Sequence, residues 1–228
     1  METAPDVAKI ASLIGDRARA TMLMGLMGGK ALTATELARA ANITKQTASS
    51  HLAKLVDAAL VESQSVGRYR YFALADHEVA MVIEKLIALA HRIDAVPVRT
   101  GPAAEAIRKA RVCYDHLAGE LGVRVYDSLK GQRIIRVASG EVTLTEDGAK
   151  FIRIVGIDID ALNSTRRPLC LSCLDWSVRR HHLAGALGAA ILQLCFSRKW
   201  ATRQKGTRAV LFSAIGERAL FKQFVSAG

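Results

Sequence analysis

Apolar positions recur along the first ninety residues with two different periods, and each period predicts an element. Helical spacing marks Val7 to Ile14 and Ala18 to Met27, the second stopped by Gly28 and Gly29. Thr33-Ala-Thr-Glu36 opens a third helix with a capping-box pattern, a threonine cap with a glutamate three residues on. That helix ends at the Asn42 turn. Thr44 then caps a fourth helix whose apolar positions are Ala48, Leu52, Leu55 and Val56, which leaves Lys45, Gln46, Thr47, Ser49, Ser50 and His51 to project elsewhere. From Leu60 to Leu74 the period shortens to two, with Gly67 at the turn, and this predicts a hairpin carrying Arg68 and Arg70 near its tip. Asp76 to Ile93 returns to helical spacing, with Val79, Ile83, Leu86, Ile87 and Ala90 on one stripe.

Two helices joined by a short turn and followed by a charged hairpin make a winged helix-turn-helix. Short hydrogen-bonding side chains on the first turns of an exposed helix are what a major groove accepts, and hairpin arginines can reach phosphates or a minor groove. The candidate DNA contacts are therefore Lys45, Gln46, Thr47, Ser49, Ser50, His51, Arg68 and Arg70. An apolar stripe on a helix flanking so small a domain commonly serves dimerisation.

Residues 5 to 94 resemble the ArsR/SmtB family of bacterial repressors. The resemblance is carried by Thr47-Ala-Ser-Ser-His-Leu-Ala-Lys-Leu-Val-Asp-Ala-Ala-Leu-Val, similar to that family's Thr-Val-Ser-x-His-Leu-x-x-Leu-x-x-Ala-Gly-Leu-Val, and by the Gly67-Arg68 wing. Ala59 replaces the usual glycine at a helix end, where alanine fits less well if the site needs a positive φ. The resemblance implies a homodimer on a pseudo-palindromic DNA operator, usually repressing, released when an effector binds. The family's own metal sites carry over poorly. Glu36-Leu-Ala-Arg-Ala-Ala lacks the cysteines of arsenite sensors, and the zinc-sensor positions on the long helix read Glu78, Ala80, His91 and Asp94, with the alanine removing a ligand.

Charge agrees with such a partner. Lys and Arg number 32 against 21 Asp and Glu, a net charge of +11, and the sequence pI of about 9.9 exceeds the value of about 9 associated with nucleic-acid binding. No apolar run reaches the roughly 20 residues of a membrane span, and Met-Glu-Thr-Ala-Pro-Asp at the start lacks the features of a secretion signal. The expected location is cytoplasmic, without a membrane partner, and the four cysteines are then expected as thiols.

Val-Pro-Val-Arg-Thr-Gly-Pro, within residues 95–103, predicts a linker between a DNA-binding and dimerisation domain at 1–94 and a second domain at 104–228. The second domain contains an internal repeat. His116-Leu-Ala-Gly-Glu-Leu-Gly recurs as His182-Leu-Ala-Gly-Ala-Leu-Gly 66 residues later, each preceded by a Cys and an Asp: Cys113 and Asp115, Cys173 and Asp175. Each copy continues into a strand-like segment and closes with a helix, beginning near Leu144 and near Phe212. The expected fold is thus mainly α with small β-wings, an α+β arrangement in which repeats at about 106–155 and 170–225 form two helical, winged-like halves. Ala118, Gly119 and Gly122, with Ala184, Gly185 and Gly188, are expected to let two helices approach closely.

Cys113-x-x-His116 and Cys170-x-x-Cys173 offer four soft or borderline ligands in two pairs, so a metal or metalloid ion is one candidate effector. A thiol sensor at Cys113 or Cys173 is another, if a neighbour lowers the thiol pKa. An organic-ligand pocket lined by Tyr114, Trp176 and Phe196 is a third. The candidate effector residues are Cys113, His116, Cys170, Cys173, Asp175, Trp176 and His182; no cofactor is fixed by the sequence. Against all of these stands a purely structural domain, in which the cysteines are small buried hydrophobes. An enzyme with a Cys-His-Asp set is disfavoured because no phosphate loop, nucleophile elbow or cofactor fingerprint appears. Arg198, Lys199, Arg203, Lys205 and Arg208 lie in a second expected hairpin and read as a solvated face or as further phosphate contacts.

Overall fold

The computed structural model describes residues 6–93, 102–165 and 167–225. Contacts divide the chain into two compact units, Met1–Ile83 and Glu84–Gly228. The expected linker at 95–103 falls largely outside the described residues, as does Asp94.

The first unit follows the sequence patterns closely. Its elements are α1 (Val7–Gly15), α2 (Arg17–Leu26), β1 (Leu32–Thr33), α3 (Ala34–Ala41), α4 (Lys45–Asp57), β2 (Val61–Val66) and β3 (Tyr69–Leu74), after which α5 (His77–Ile93) begins. Thr33 and Glu36 form the reciprocal capping box at the start of α3, and the Thr44 side chain accepts from the Thr47 N–H at the start of α4. Each cap satisfies amide groups that a helix start leaves without partners. The antiparallel sheet has the order β1-β3-β2, with Val66 opposite Tyr69 across the Gly67-Arg68 turn. Met22, Leu23, Leu26, Leu37, Ala48, Leu52, Leu55 and Phe72 are buried together as the core of a winged helix-turn-helix.

The turn leaving α4 explains how a substituted glycine position is tolerated. The Leu60 N–H donates to the Leu55 carbonyl and the Ala59 N–H to the Val56 carbonyl, each at 2.9 Å, the paired bonds of a Schellman end. Ala59 sits at φ 54°, in the left-handed region. Its methyl group is strained there, and the two hydrogen bonds and the buried Leu60 offset the cost.

In the second unit, α6 (Pro102–Lys109) precedes β4 (Arg111–Cys113), β5 (His116–Ala118), α7 (Glu120–Gly131), β6 (Ile135–Ala138), β7 (Glu141–Leu144) and α8 (Glu146–Val155). After the short α9 (Ile159–Asn163) the same order returns as β8 (Leu171–Leu174), β9 (His181–Ala184), α10 (Gly185–Ser197), β10 (Ala201–Arg203), β11 (Val210–Phe212) and α11 (Ala214–Phe224). The local chemistry returns with it. Arg133 and Lys199 take left-handed conformations at φ 58° and 56° after α7 and α10, and Thr145 and Ser213 cap α8 and α11 through the N–H groups of Gly148 and Gly216.

One expectation about this unit is corrected. His116-Leu-Ala and His182-Leu-Ala are strands, not the starts of helices. Gly119 and Gly185, at φ 83° and 82°, turn each strand into its helix, and a Cβ at either would fall within 2.8 Å of a backbone carbonyl oxygen. The small residues therefore bring a helix against a strand. A Cβ on Gly122 of α7 would lie 3.5 Å from the Cβ of His182 on β9, and one on Gly188 of α10 would lie 3.3 Å from the Cβ of His116 on β5. Leu121, Val125, Leu129, Leu187, Ile191 and Leu192 from these two helices share one buried apolar cluster.

Ala59→Gly should stabilise the protein by about 0.5–1 kcal/mol, since relief of a left-handed alanine exceeds the added freedom of the unfolded chain. Urea denaturation checks this; an unchanged or lower midpoint would mean that Ala59 carries no strain.

Candidate functional site

Lys45, Gln46, Thr47, Ser49 and Ser50 all lie on the exposed face of α4, as the helical pattern requires once Ala48, Leu52 and Leu55 turn inward. Arg68 and Arg70 stand across an open groove from that face, in a cavity of about 510 Å³ that Lys45, Ser49, Val56 and Tyr69 help to line. Arg68 is exposed at the hairpin tip with its guanidinium 5.4 Å from the centre of the Tyr69 ring. Arg70 is tied back: its Nε and Nη2 donate to the Ser63 hydroxyl at 3.0 and 2.7 Å. His51 is half-buried, with Nδ1 3.2 Å from Arg19 Nη1. Arg19 also donates to the carbonyls of Leu13 and Ser12, so His51 belongs to a bracket joining α1, α2 and α4.

The second unit holds a different kind of site. Cys113 and His116 are directly opposed across the β4–β5 hairpin, and Cys173 and His182 are directly opposed across β8–β9. Cross-strand neighbours project to the same face. The four donor atoms, two sulfurs and two imidazole nitrogens, all lie within 4.8 Å of one another, and all four residues are buried. The sulfurs are 3.9 Å apart and the two Nε2 atoms 3.1 Å apart.

Carboxylates stand behind both imidazoles. Nδ1 of His116 is 3.2 Å from Asp115, and Nδ1 of His182 is 3.4 Å from Asp175. Asp175 is fully buried, accepts from the Gly119 N–H at 2.6 Å and from the Ser177 hydroxyl at 2.7 Å, and forms an ion pair with Arg111 at 2.9 Å. Asp115 pairs with Arg167 through both carboxylate oxygens. Burial works against both charges, but His116 and Arg167 hold Asp115 at about 2, while Arg111 and Ser177 hold Asp175 at about 2. Burial keeps His182 well below the ordinary histidine range, with the neighbouring His116 adding to the effect. For His116 burial is outweighed by the Asp115 carboxylate, which raises its pKa.

The other candidates fall elsewhere. Cys170 does not join Cys173; it sits in the apolar cluster, where burial pushes its thiol up to about 12. Trp176 lies half-buried with its ring 4.5 Å from the Arg111 guanidinium, which makes it packing for the buried ion pair. The hydrogen bond with Cys173 and burial together push the Cys113 thiol well above the ordinary range, the reverse of what a reactive thiolate needs. In the basic run, Arg198 donates to the Val155 carbonyl and Arg203 stacks over Phe196, so these two are tied to the unit's own surface. The side chain of His91 and residue Asp94 lie outside the described residues.

A helix-turn-helix domain model matches residues 14–64. The HTH-type transcriptional regulator YdfF of Bacillus subtilis (strain 168) is 40% identical over 218 residues, covering 96% of each chain. Among solved structures, the homodimeric winged helix-turn-helix DNA-binding domain of Mb0332 from Mycobacterium bovis, a possible ArsR-family regulator, is 22% identical over 42% of this chain and 95% of that one, with a TM-score of 0.36. The cadmium sensor CMTR of Mycobacterium tuberculosis is 25% identical over the same shares, with a TM-score of 0.32.

Removing Asp175 leaves Arg111 buried and short of its main partner. Asp175→Ala should cost about 3–5 kcal/mol, the usual penalty for breaking a buried pair from one side, and Asp175→Asn should cost less because it still accepts from Gly119. Thermal unfolding of both variants checks the order; equal losses would show that the charge carries the whole effect and that the bond from Gly119 adds nothing.

Proposed function

Since the chain belongs to the helix-turn-helix transcriptional regulators, with a full-length relative at 40% identity, we propose that it is an ArsR/SmtB-like homodimeric repressor that leaves its operator when an effector acts on the second unit. The observation that carries this reading is the exposed polar face of α4 beside the Arg68 wing tip, on a protein of net charge +11. Gln46 and Ser49 read base edges, while Lys45 and Arg68 hold phosphates. Ser49 is anchored for that role, its hydroxyl donating to the Lys45 carbonyl at 2.9 Å. His51 acts as a positioning residue, through Arg19.

Dimerisation is assigned to apolar residues that the single chain leaves uncovered. No residue of α1 is buried, and a nine-residue helix is marginal without packing. Val82, Leu86 and Leu89 of α5 are also exposed, whereas Ile83 of the expected stripe is already buried within the chain. A second copy of the chain covers both surfaces. The second unit is read as two duplicated halves, on the recurrence of element order, caps and left-handed turns described above.

Two measurements test these assignments. Binding to the promoter region of the protein's own gene should lose about 1–3 kcal/mol of discrimination in Gln46→Ala or Ser49→Ala, while Arg68→Ala should weaken all DNA and lower the salt slope by about one. Undiminished discrimination in both helix variants would place the recognition surface elsewhere. Leu86→Glu/Leu89→Glu should sediment as a folded monomer; a retained dimer would move the interface off α5.

A further inference from the structure

Two donor spacings in the Cys-His cluster, sulfur to sulfur and nitrogen to nitrogen, match those of a tetrahedral ion. With Zn–S bonds of about 2.3 Å and Zn–N bonds of about 2.0–2.1 Å, tetrahedral angles put two sulfurs about 3.8 Å apart and two nitrogens about 3.3 Å apart. The chain holds them at 3.9 and 3.1 Å. Both imidazoles turn Nε2 inward; Nδ1 of His116 is hydrogen-bonded to Asp115, the arrangement that fixes the tautomer of a metal-bound histidine, and Nδ1 of His182 lies 3.4 Å from Asp175. The two carboxylates are held in place from behind by Arg167 and Arg111.

We infer that Cys113, His116, Cys173 and His182 bind one tetrahedral divalent ion of the Zn²⁺ class, each hairpin supplying one thiolate and one imidazole. Two thiolates neutralise a divalent charge, so the filled site adds no net charge to a buried position. Sulfur and imidazole together favour Zn²⁺, Cd²⁺ or Co²⁺ over Mg²⁺ and Ca²⁺, which take oxygen ligands. A disulfide is a poorer account, because sulfurs at 3.9 Å would have to close to about 2.05 Å and would leave the two imidazoles without a role. The site differs from the positions Glu78, Ala80, His91 and Asp94 where the ArsR/SmtB resemblance would put a metal. The ion joins the two hairpins, and so fixes how α7 and α10 pack against β9 and β5. Its further role as the effector rests on the reading of the chain as a DNA-binding repressor, and is measured separately.

The test begins with full-length protein purified without a histidine tag. Elemental analysis should find a single zinc per chain, and replacement by Co²⁺ should give the intense visible bands of a tetrahedral site with a thiolate-to-cobalt charge-transfer band. Cys113→Ser/Cys173→Ser should lose the charge-transfer band, while Cys170→Ala, altered at a cysteine outside the cluster, should retain it. Should the double variant fail to fold, the wild-type cobalt spectrum together with Cys170→Ala still decides the matter. Wild-type protein that carries no metal and shows no tetrahedral cobalt spectrum overturns the inference, as does a Cys113–Cys173 disulfide in the protein as purified under reducing conditions or loss of the signal in folded Cys170→Ala. Chelation should change promoter affinity by about five- to 150-fold. Loaded metal with unchanged DNA affinity leaves the site standing and refutes its role as effector; loss of all DNA binding by loaded and stripped protein alike refutes the repressor reading alone.

Discussion

The second unit depends on one buried carboxylate. Asp175 is held without solvent among Arg111, the Gly119 amide, Ser177 and His182. An isolated charge in that position would cost several kcal/mol, so the partners are obligatory. Two of them, Arg111 and Gly119, come from the other hairpin and the turn that follows it. Asp175 therefore starts α7, anchors the end of β8 and orients an imidazole at once. Asp115 does the corresponding work with Arg167, but nearer the surface. Asp175 thus draws two of its partners from the other hairpin, whereas Asp115 pairs with His116 of its own hairpin and with Arg167.

The first unit could be read from the chain because its signals are local. A threonine cap with a glutamate three residues on, a helical stripe and a glycine between alternating strands each specify structure within a few residues. Thr33, Thr44 and Gly67 all stand where that chemistry places them. His51 was less transparent: its spacing puts it on the recognition helix, but only the fold reveals that Arg19 claims it.

In the second unit the repeat was visible while its geometry was not. His-Leu-Ala-Gly followed by Leu and Gly has helical spacing, and nothing in the string announces that Gly119 and Gly185 adopt positive φ and end a strand. Cys170 and Cys173 invite pairing by their spacing, yet the partner of Cys173 is His182, across a hairpin whose loop is longer than the two-residue turn at Tyr114 and Asp115. The longer loop carries Asp175, Trp176 and Ser177, the residues that surround Arg111. Equivalent cross-strand pairs thus appear at unequal sequence distances, and what marks them in the string is the repeat, each His-Leu-Ala-Gly preceded by a Cys.

The enclosure of the four donor atoms sets a clock. His116 and His182 have no exposed surface and Cys113 and Cys173 almost none, so anything entering or leaving must wait for the hairpins to part. Such openings are local unfolding events, whose frequency depends on the stability of the hydrogen bonds that close them. Exchange at this centre is therefore limited by the protein's own breathing more than by encounter in solution. A centre governed in that way averages over brief fluctuations in its surroundings and registers only changes that last.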